Sequence, residues 1–268
     1  MCEDDTLELS KPVDSRSRRR EWRNRYPGLR RHRSRERWYP TDEPAQHDQA
    51  SLSCAAKAVE LELQHVRLPG LLTLPPQASG LVVFAHGSGS SRLSPRNQLV
   101  AQALQQANLG TLLFDLLTET EEQEDQATRR HRFDIDLLSG RLVDATAWLA
   151  HQPDTENLRY GYFGASTGAA AAIRAAAESE WGVEAIVSRG GRPDLAGPAL
   201  VSVTAPTLLI VGGADIEVLR LNEQAMAQMH TRVGLEIIPG ATHLFEEPGA
   251  LQQVAKLAQR WFTRYLMG

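Results

Sequence analysis

The stretch that decides the fold is LRYGYFGASTGAAAAIRAAAE, residues 158–178. Its first part is rich in aromatic residues, as in a buried β-strand, and its last part is a run of small helix-forming residues. Gly164-Ala165-Ser166-Thr167-Gly168 lies between them. A serine on a tight strand-to-helix turn has strained backbone angles, and larger side chains two residues away would strike neighbouring elements. The pattern predicts a turn that lifts the Ser166 hydroxyl above a sheet edge as a nucleophile.

Strand and helix patterns alternate on both sides of this turn, which predicts an α/β fold with a mostly parallel central sheet and helices on both faces. The predicted strands are residues 57–63, 70–76, 81–87, 111–116, 158–165, 183–189, 206–213 and 234–240. The predicted helices are residues 95–108, 133–150, 167–178, 217–230 and 249–267. We interpret residues 119–125 as a short acidic loop. The apolar stripe of the last helix, spaced three and four residues apart, is expected to be core.

A serine hydroxyl is a weak nucleophile at neutral pH, so it needs a base within hydrogen-bond reach and a group that orients the base. Asp215 closes the strand PTLLIVGG, and His243 follows the next strand in IIPGATHLFEEP. Nucleophile, acid and histidine in this chain order are typical of one triad fold. The alternatives are that Asp215 is a helix N-cap, that Glu217 is the acid, and that His243 is a solvated loop residue.

The developing negative charge on a substrate oxygen needs fixed donors. The backbone N–H of Thr167, at the start of its helix, is one candidate, and the N–H of Ser88, in the Gly- and Ser-rich loop of VVFAHGSGSS, is the other. We expect His86, which precedes this loop, to make a structural hydrogen bond rather than to transfer a proton.

Arg189 and Arg192, in VSRGGRPD, follow a predicted strand and lie near the same edge. They could bind a substrate carboxylate or phosphate, and Arg92 and Arg96 could join them. The alternative is a salt bridge to Asp194 or to the acidic residues 119–125.

The net charge of −4 is divided unevenly along the chain. Residues 11–37 hold twelve Lys or Arg against three acidic residues, whereas the remainder holds seventeen basic and thirty acidic ones. Because this segment has few aliphatic side chains, we expect residues 1–56 to form a disordered Arg-rich tail before one domain of residues 57–268. Arginines interleaved with Trp and Tyr could contact nucleic acid; a solvated tail is the alternative.

Composition is ordinary for a globular protein, with 42% apolar and 23% charged residues. No apolar run approaches the roughly eighteen residues needed to cross a bilayer, and because no apolar stretch follows the first positive charges we expect no secretion signal. Cys2 and Cys54 both precede the proposed domain, which favours a reducing cytoplasm. The oligomeric state is left open.

Four motifs together resemble the α/β-hydrolase superfamily and, within it, the dienelactone hydrolase-like group, over about four fifths of the chain. These motifs are AHGSGSS (85–91), FGASTGAA (163–170), LLIVGGAD (208–215) and PGATHLFEEP (239–248). Dienelactone hydrolases proper use a cysteine nucleophile, and Ser166 departs from that pattern, so the resemblance implies the scaffold and the acyl-transfer chemistry. It also implies a small acyl substrate, without a metal or an organic cofactor. Residues 190–206 leave little room for a helical lid, so we expect an open cleft and no large cap domain.

Two other functions compete with this one. A dinucleotide-binding module is suggested by Gly87-Ser88-Gly89 after a strand and Asp115 at the end of the next, but Arg92 occupies the position of the third glycine. A catalytically silent binding or scaffold protein would keep the fold, although the intact Ser166, Asp215 and His243 argue against it.

Overall fold

The computed structural model describes residues 55–267, and the predictions about residues 1–54 lie outside them. The strands are β1 (Lys57–Glu62), β2 (Arg67–Thr73), β3 (Gly80–Ala85), β4 (Gly110–Phe114), β5 (Arg159–Ala165), β6 (Val183–Arg189), β7 (Thr207–Gly212) and β8 (Val233–Ile238). They form one sheet in the order β1-β2-β4-β3-β5-β6-β7-β8. β2 pairs antiparallel with β1 and β4, and the pairs from β4 through β3 to β8 are parallel. The predicted mostly parallel sheet is confirmed.

Helices cover both faces of the sheet, as predicted. They are α1 (Pro95–Gln106), α2 (Glu119–Thr128), α3 (Ile135–Ala150), α4 (Thr167–Glu178), α5 (Ala199–Ser202), α6 (Ile216–Gln228) and α7 (Ala250–Leu266). One apolar core contains side chains of α3 and α4, and the other contains side chains of α1 and α7. The central strands β3, β4 and β7 are buried along their whole length, which explains their continuous apolar sequences. The α7 stripe packs in the second core, so that prediction is confirmed.

The interpretation of residues 119–125 as an acidic loop is wrong, because they belong to α2. Thr118 and Glu121 form a capping box, in which each side chain accepts a hydrogen bond from the other residue's backbone N–H. The carboxylates of the first turn also interact favourably with the positive end of the helix dipole. The acidic run is thus a helix N-terminus.

The carboxyl ends of the parallel strands meet at one edge of the sheet, which positions the candidate site there. Ser166 follows β5, Asp215 lies three residues beyond β7, and His243 lies in the connection from β8 to α7. Between β6 and β7 the chain forms only a short 3-10 helix, Pro193–Ala196, and the four-residue α5. The expectation of no large cap is confirmed for the described part of the chain.

Within residues 55–267, no helix has both the length and the hydropathy that crossing a bilayer requires.

Candidate active site

The turn between β5 and α4 holds Ser166 in a strained conformation, with φ 50° and ψ −122°. A Cβ added to Gly164 would lie 2.4 Å from the Cα of Ala169. A Cβ added to Gly168 would lie 2.2 Å from the backbone oxygen of Ala85. Both contacts are with backbone atoms of neighbouring elements, so the two glycines are needed for the steric reason that the sequence indicates.

Asp215 and His243 form a hydrogen-bonded pair, with 2.7 Å between His243 Nδ1 and Asp215 Oδ2. Asp215 occupies the N-cap position of α6, but its side chain makes no capping hydrogen bond within that helix. The carboxylate instead accepts a hydrogen bond from the imidazole, which leaves Nε2 as the free ring nitrogen. Glu217 is exposed, and it is Asp215 that contacts the histidine.

Backbone contacts bring Ser166 and His243 to neighbouring positions at the sheet edge. The Ser166 N–H donates to the carbonyl of Arg189, the last residue of β6, at 3.2 Å. The next residue, Gly190, has φ 52°, and a Cβ there would lie 3.1 Å from His243 O and 3.6 Å from its Nδ1. Within residues 55–267 no hydrogen bond joins the Ser166 hydroxyl to the imidazole. The two residues therefore share Arg189 and Gly190 as common supports.

The two candidate oxyanion donors also lie side by side. The hydroxyls of Ser88 and Thr167 are 3.1 Å apart, which joins the loop after β3 to the start of α4. Thr167 is the first residue of its helix, so its backbone N–H has no intrahelical acceptor. Gly87 approaches the nucleophile closely, since a Cβ there would lie 3.0 Å from the Ser166 Cβ.

His86 makes structural hydrogen bonds. Its Nε2 accepts from the Leu116 N–H at 3.0 Å, so Nδ1 is the protonated nitrogen and donates to the carbonyl of Gly87 at 3.0 Å. Burial lowers the pKa of His86 below its usual value, against smaller raising effects from the Gly87 carbonyl and from Asp115. The neutral ring thus ties the loop after β3 to the end of β4.

Arg189, whose carbonyl accepts the hydrogen bond from the Ser166 N–H, has a buried side chain, and 6% of the residue's surface is exposed. Its Nη2 donates to Asn97 Oδ1 at 3.2 Å, its Cζ lies 5.9 Å from the centre of the Phe245 ring, and its Nε has no hydrogen-bond partner among the described residues. Burial, with a smaller contribution from Arg96, lowers the pKa of Arg189 to about 10. The side chain therefore carries a charge without a carboxylate partner in the described part of the chain.

The other arginines near this edge have carboxylate partners. Arg192 forms a two-pronged pair with Asp194, at 2.9 Å from Nε to Oδ1 and 2.7 Å from Nη2 to Oδ2. Arg92 pairs with Asp115 through both its backbone N–H and its guanidinium. This second pair occupies the carboxylate that a dinucleotide-binding module would need for a ribose, which further weakens that alternative.

Arg96 lies 3.6 Å from Glu246, in a pair that connects α1 to the loop of His243. The acidic residues of α2 pair elsewhere, for instance Glu121 with Arg141 at 2.8 Å.

Residues 115–134, here named the β4–α3 segment, contribute to the site in a way that sequence reasoning missed. Asp125 is fully buried and accepts from the backbone N–H of His131 at 2.7 Å, from that of Arg132 at 2.9 Å and from Arg132 Nε at 2.6 Å. Burial by itself raises the pKa of Asp125, but the hydrogen bonds from Arg132 and His131 outweigh it and hold that pKa below its usual value.

The β4–α3 segment reaches the oxyanion loop through the carbonyl of Arg132, which lies 3.5 Å from Ser88 Oγ. Thr118 and Glu121, with the S/T-x-x-E spacing of a capping box, are the sequence signal that could have revealed the helix in this segment. In the described part of the chain, no cluster of three or more His, Cys, Asp or Glu side chains is arranged to hold a metal ion.

A parallel sheet with a strained serine turn after β5 and a carboxylate–histidine pair after β7 and β8 is the arrangement of an α/β hydrolase. Residues 68–266 match the model of the dienelactone hydrolase family, and the chain belongs to that family.

A crystal structure of the dienelactone hydrolase from Anabaena variabilis is 60% identical, with a TM-score of 0.78, and the match covers 80% of this chain and 99% of that one. Est1E from Butyrivibrio proteoclasticus is 16% identical, with a TM-score of 0.64 and coverage of 77% and 98%, so it supports the fold alone.

Two proteins from strains of Mycobacterium tuberculosis, each named "Putative phosphoribosyl transferase", are 60% identical over 203 residues. The match covers 76% of this chain and 45% of each of those proteins, so this chain spans less than half of their length.

Proposed function

We propose that the chain is a serine hydrolase that cleaves a carboxylic ester, lactone or thioester of a small substrate through an acyl-enzyme. The observation that carries this proposal is the 2.7 Å bond from His243 Nδ1 to Asp215 at the sheet edge where Ser166 is held in a strained turn. Membership of the dienelactone hydrolase family supports an enzyme of the hydrolase class. The nucleophile and the bond type are the parts that we propose.

In the first half-reaction, Ser166 Oγ attacks the substrate carbonyl carbon and its proton passes to His243 Nε2. Asp215 accepts the Nδ1 hydrogen bond, fixes the tautomer and stabilises the imidazolium. The N–H groups of Ser88 and Thr167 donate to the oxyanion. The bond to the leaving group then breaks, and that group takes the proton from His243.

In the second half-reaction, water attacks the acyl carbon and gives a proton to His243; the bond from that carbon to Ser166 Oγ then breaks, Ser166 takes the proton back from His243, and the acid is released. The proposal requires the imidazole to come within hydrogen-bond reach of Ser166. Such catalytic hydrogen bonds are often long before substrate binds and shorten in the Michaelis complex.

This function is tested by measuring the hydrolysis of a panel of esters, thioesters, lactones and amides by wild type and by Ser166→Ala. We expect Ser166→Ala and His243→Ala to lower kcat by about 10⁴- to 10⁶-fold and Asp215→Asn by less, because removing the nucleophile or the base alone disables the unit. Ser139→Ala, which changes a buried serine on α3, is the matched control and keeps wild-type kcat. Coinciding profiles of wild type and Ser166→Ala would assign the activity to a contaminant and favour a silent binding or scaffold protein.

We also propose that Arg189, rather than Arg192, contacts an anionic group of the substrate. The buried guanidinium of Arg189, whose Nε has no hydrogen-bond partner within residues 55–267, supports this role, whereas Asp194 already neutralises Arg192. Arg189→Met is expected to lower the preference for an anionic over a neutral ester by about 10-fold or more, and Arg192→Met to leave it unchanged. An unchanged preference in Arg189→Met would end this part of the proposal.

A cytoplasmic location and nucleic-acid contact by the basic residues 11–37 are also proposals, both based on sequence alone. Comparing nucleic-acid affinity with and without residues 1–56 across salt concentrations tests the second, because phosphate contacts give a steep salt dependence.

A further inference from the structure

A small recess adjoins the two candidate oxyanion donors, Ser88 and Thr167, which both lie in its wall. It encloses about 250 Å³ with its open mouth included. That figure includes open solvent, and the part that a water-sized group can enter is only about as large as one water molecule. The recess therefore suits a substituent of one or two heavy atoms.

Its position beside the donors indicates which part of a substrate it would hold. In the tetrahedral intermediate of acyl transfer, the oxyanion and the first carbon of the acyl chain are bonded to the same carbon atom. A space that begins at the oxyanion donors is therefore next to the point where the acyl chain leaves the reacting carbon. Resting on the serine hydrolase function above, we propose that this recess is the acyl pocket and that it selects short, uncharged acyl groups. Arg189 does not line the recess, so the anionic group that it would contact belongs to the leaving group.

The walls of the recess are suited to an apolar chain. Leu116, Leu117 and Leu138 line it, and all three are buried. Leu116 and Leu117 lie two and three residues beyond the end of β4, where the Leu116 N–H donates to His86 Nε2, and Leu138 is in the first turn of α3. These contacts hold the walls in place. Longer acyl chains would have to displace core side chains, which well-packed interiors resist.

The charged residues that line the recess differ in whether they form an ion pair. Asp125 and Arg132 neutralise each other through the pair between Asp125 Oδ2 and Arg132 Nε at 2.6 Å. Glu122 also lines the recess, and within residues 55–267 its carboxylate makes no ion pair. The recess thus carries one uncompensated negative charge, which disfavours an acyl group that ends in a carboxylate.

The chain-length test compares p-nitrophenyl acetate, butyrate and hexanoate. We expect wild-type kcat/KM to be highest for acetate and to fall for butyrate and hexanoate. Leu138→Ala enlarges the recess and is expected to raise the hexanoate-to-acetate ratio of kcat/KM by about 10-fold or more. Leu142→Ala, one turn further along α3, removes the same atoms from a buried position outside the recess and keeps the wild-type ratio.

A second variant, which fills the recess, keeps the acyl pocket testable if Leu138→Ala does not fold. Leu138→Phe is expected to lower the butyrate-to-acetate ratio by about 10-fold, because the added ring occupies the acyl space. Equal ratios in wild type, Leu138→Phe and Leu142→Ala would overturn the acyl pocket while serine-dependent turnover still stood. Turnover that survives in Ser166→Ala would instead overturn the hydrolase function.

The charge test uses the p-nitrophenyl monoester of succinic acid against the butyrate ester. Glu122→Gln is expected to raise the succinate-to-butyrate ratio of kcat/KM by about 5-fold or more, since it removes the repelling charge. Glu119→Gln, an exposed residue on the same helix outside the recess, is the control and keeps the ratio. A ratio that rises equally in both variants, or in neither, would contradict the selection against charge.

Discussion

The serine turn and the β4–α3 segment border the same recess, but different interactions hold them in place. At the serine turn, backbone atoms of β3 and α4 leave no space for a Cβ at Gly164 or Gly168. In the β4–α3 segment, hydrogen bonds to the buried Asp125 carboxylate fix the path of the chain through His131 and Arg132. Steric contacts therefore fix the nucleophile, and side-chain hydrogen bonds fix the wall beside it.

Adding a side chain at a glycine of the serine turn has the largest expected effect on stability. Gly168→Ala places a methyl group 2.2 Å from Ala85 O and 2.6 Å from His86 O, and backbone oxygens in a sheet cannot move away cheaply. We expect a loss of about 3 kcal/mol or more in the free energy of unfolding, measured by urea titration.

Gly140→Ala is the matched control, because a Cβ at Gly140 in α3 meets open space. This variant is expected to be more stable than wild type by about 0.5–1 kcal/mol, since alanine favours the helix. Equal stability of the two variants would contradict a steric origin for the turn.

Removing the charge of Asp125 in the β4–α3 segment has the next largest expected effect on stability. Asp125→Asn leaves Arg132 without its anionic partner, and we expect it to lower the free energy of unfolding by about 3 kcal/mol. The pKa of Asp125 is depressed in the folded protein, so its stabilisation is present above the unfolded value of about 3.9 and is lost as pH falls through the folded value. The difference between wild type and Asp125→Asn should therefore shrink below about pH 4.

Glu124→Gln, on the same helix but exposed, is the control and should cost less than about 1 kcal/mol at any pH. A pH-independent difference between wild type and Asp125→Asn would show that the charge of Asp125 is not what stabilises the segment.

His86 connects the two regions, and its loss has the smallest expected effect. Because burial lowers the pKa of His86, the unfolded chain binds a proton there that the folded chain resists, so wild type loses stability as pH falls below about 6.5. Between pH 7 and pH 5 this loss reaches at most about 2 kcal/mol. The free energy of unfolding of His86→Gln should lack this dependence on pH. If the free energies of unfolding of the two proteins changed in parallel with pH, the ring of His86 could not be held neutral in the folded protein.

The same contrast explains how much the sequence could predict. The glycines around Ser166 and the apolar runs of the strands act through local sterics and periodicity, so the parallel sheet, the strained turn and the order of Ser166, Asp215 and His243 could be inferred. The role of Asp125 could not, because it depends on burial and on three hydrogen bonds to residues six and seven positions away. From sequence alone, the acidic residues 119–125 are expected to be solvated, and only the structure shows that Asp125 is buried.

The partners of Arg189 and Arg192 also could not be predicted from the sequence. Arg189 and Arg192 have equal sequence evidence. Among the described residues, however, Arg192 pairs with Asp194, whereas Arg189 is buried and has no carboxylate partner. Which one is neutralised depends on side-chain direction at the end of β6, which the residue pattern does not determine.

The most direct test of the central claim, that His243 activates Ser166, is the rate of labelling by a fluorophosphonate probe followed by intact-mass and peptide mass spectrometry. We expect one adduct, on the peptide that contains Ser166, no adduct in Ser166→Ala, and labelling at least about 100-fold slower in His243→Ala. Labelling of His243→Ala at the wild-type rate, or an adduct on another residue, would contradict the account.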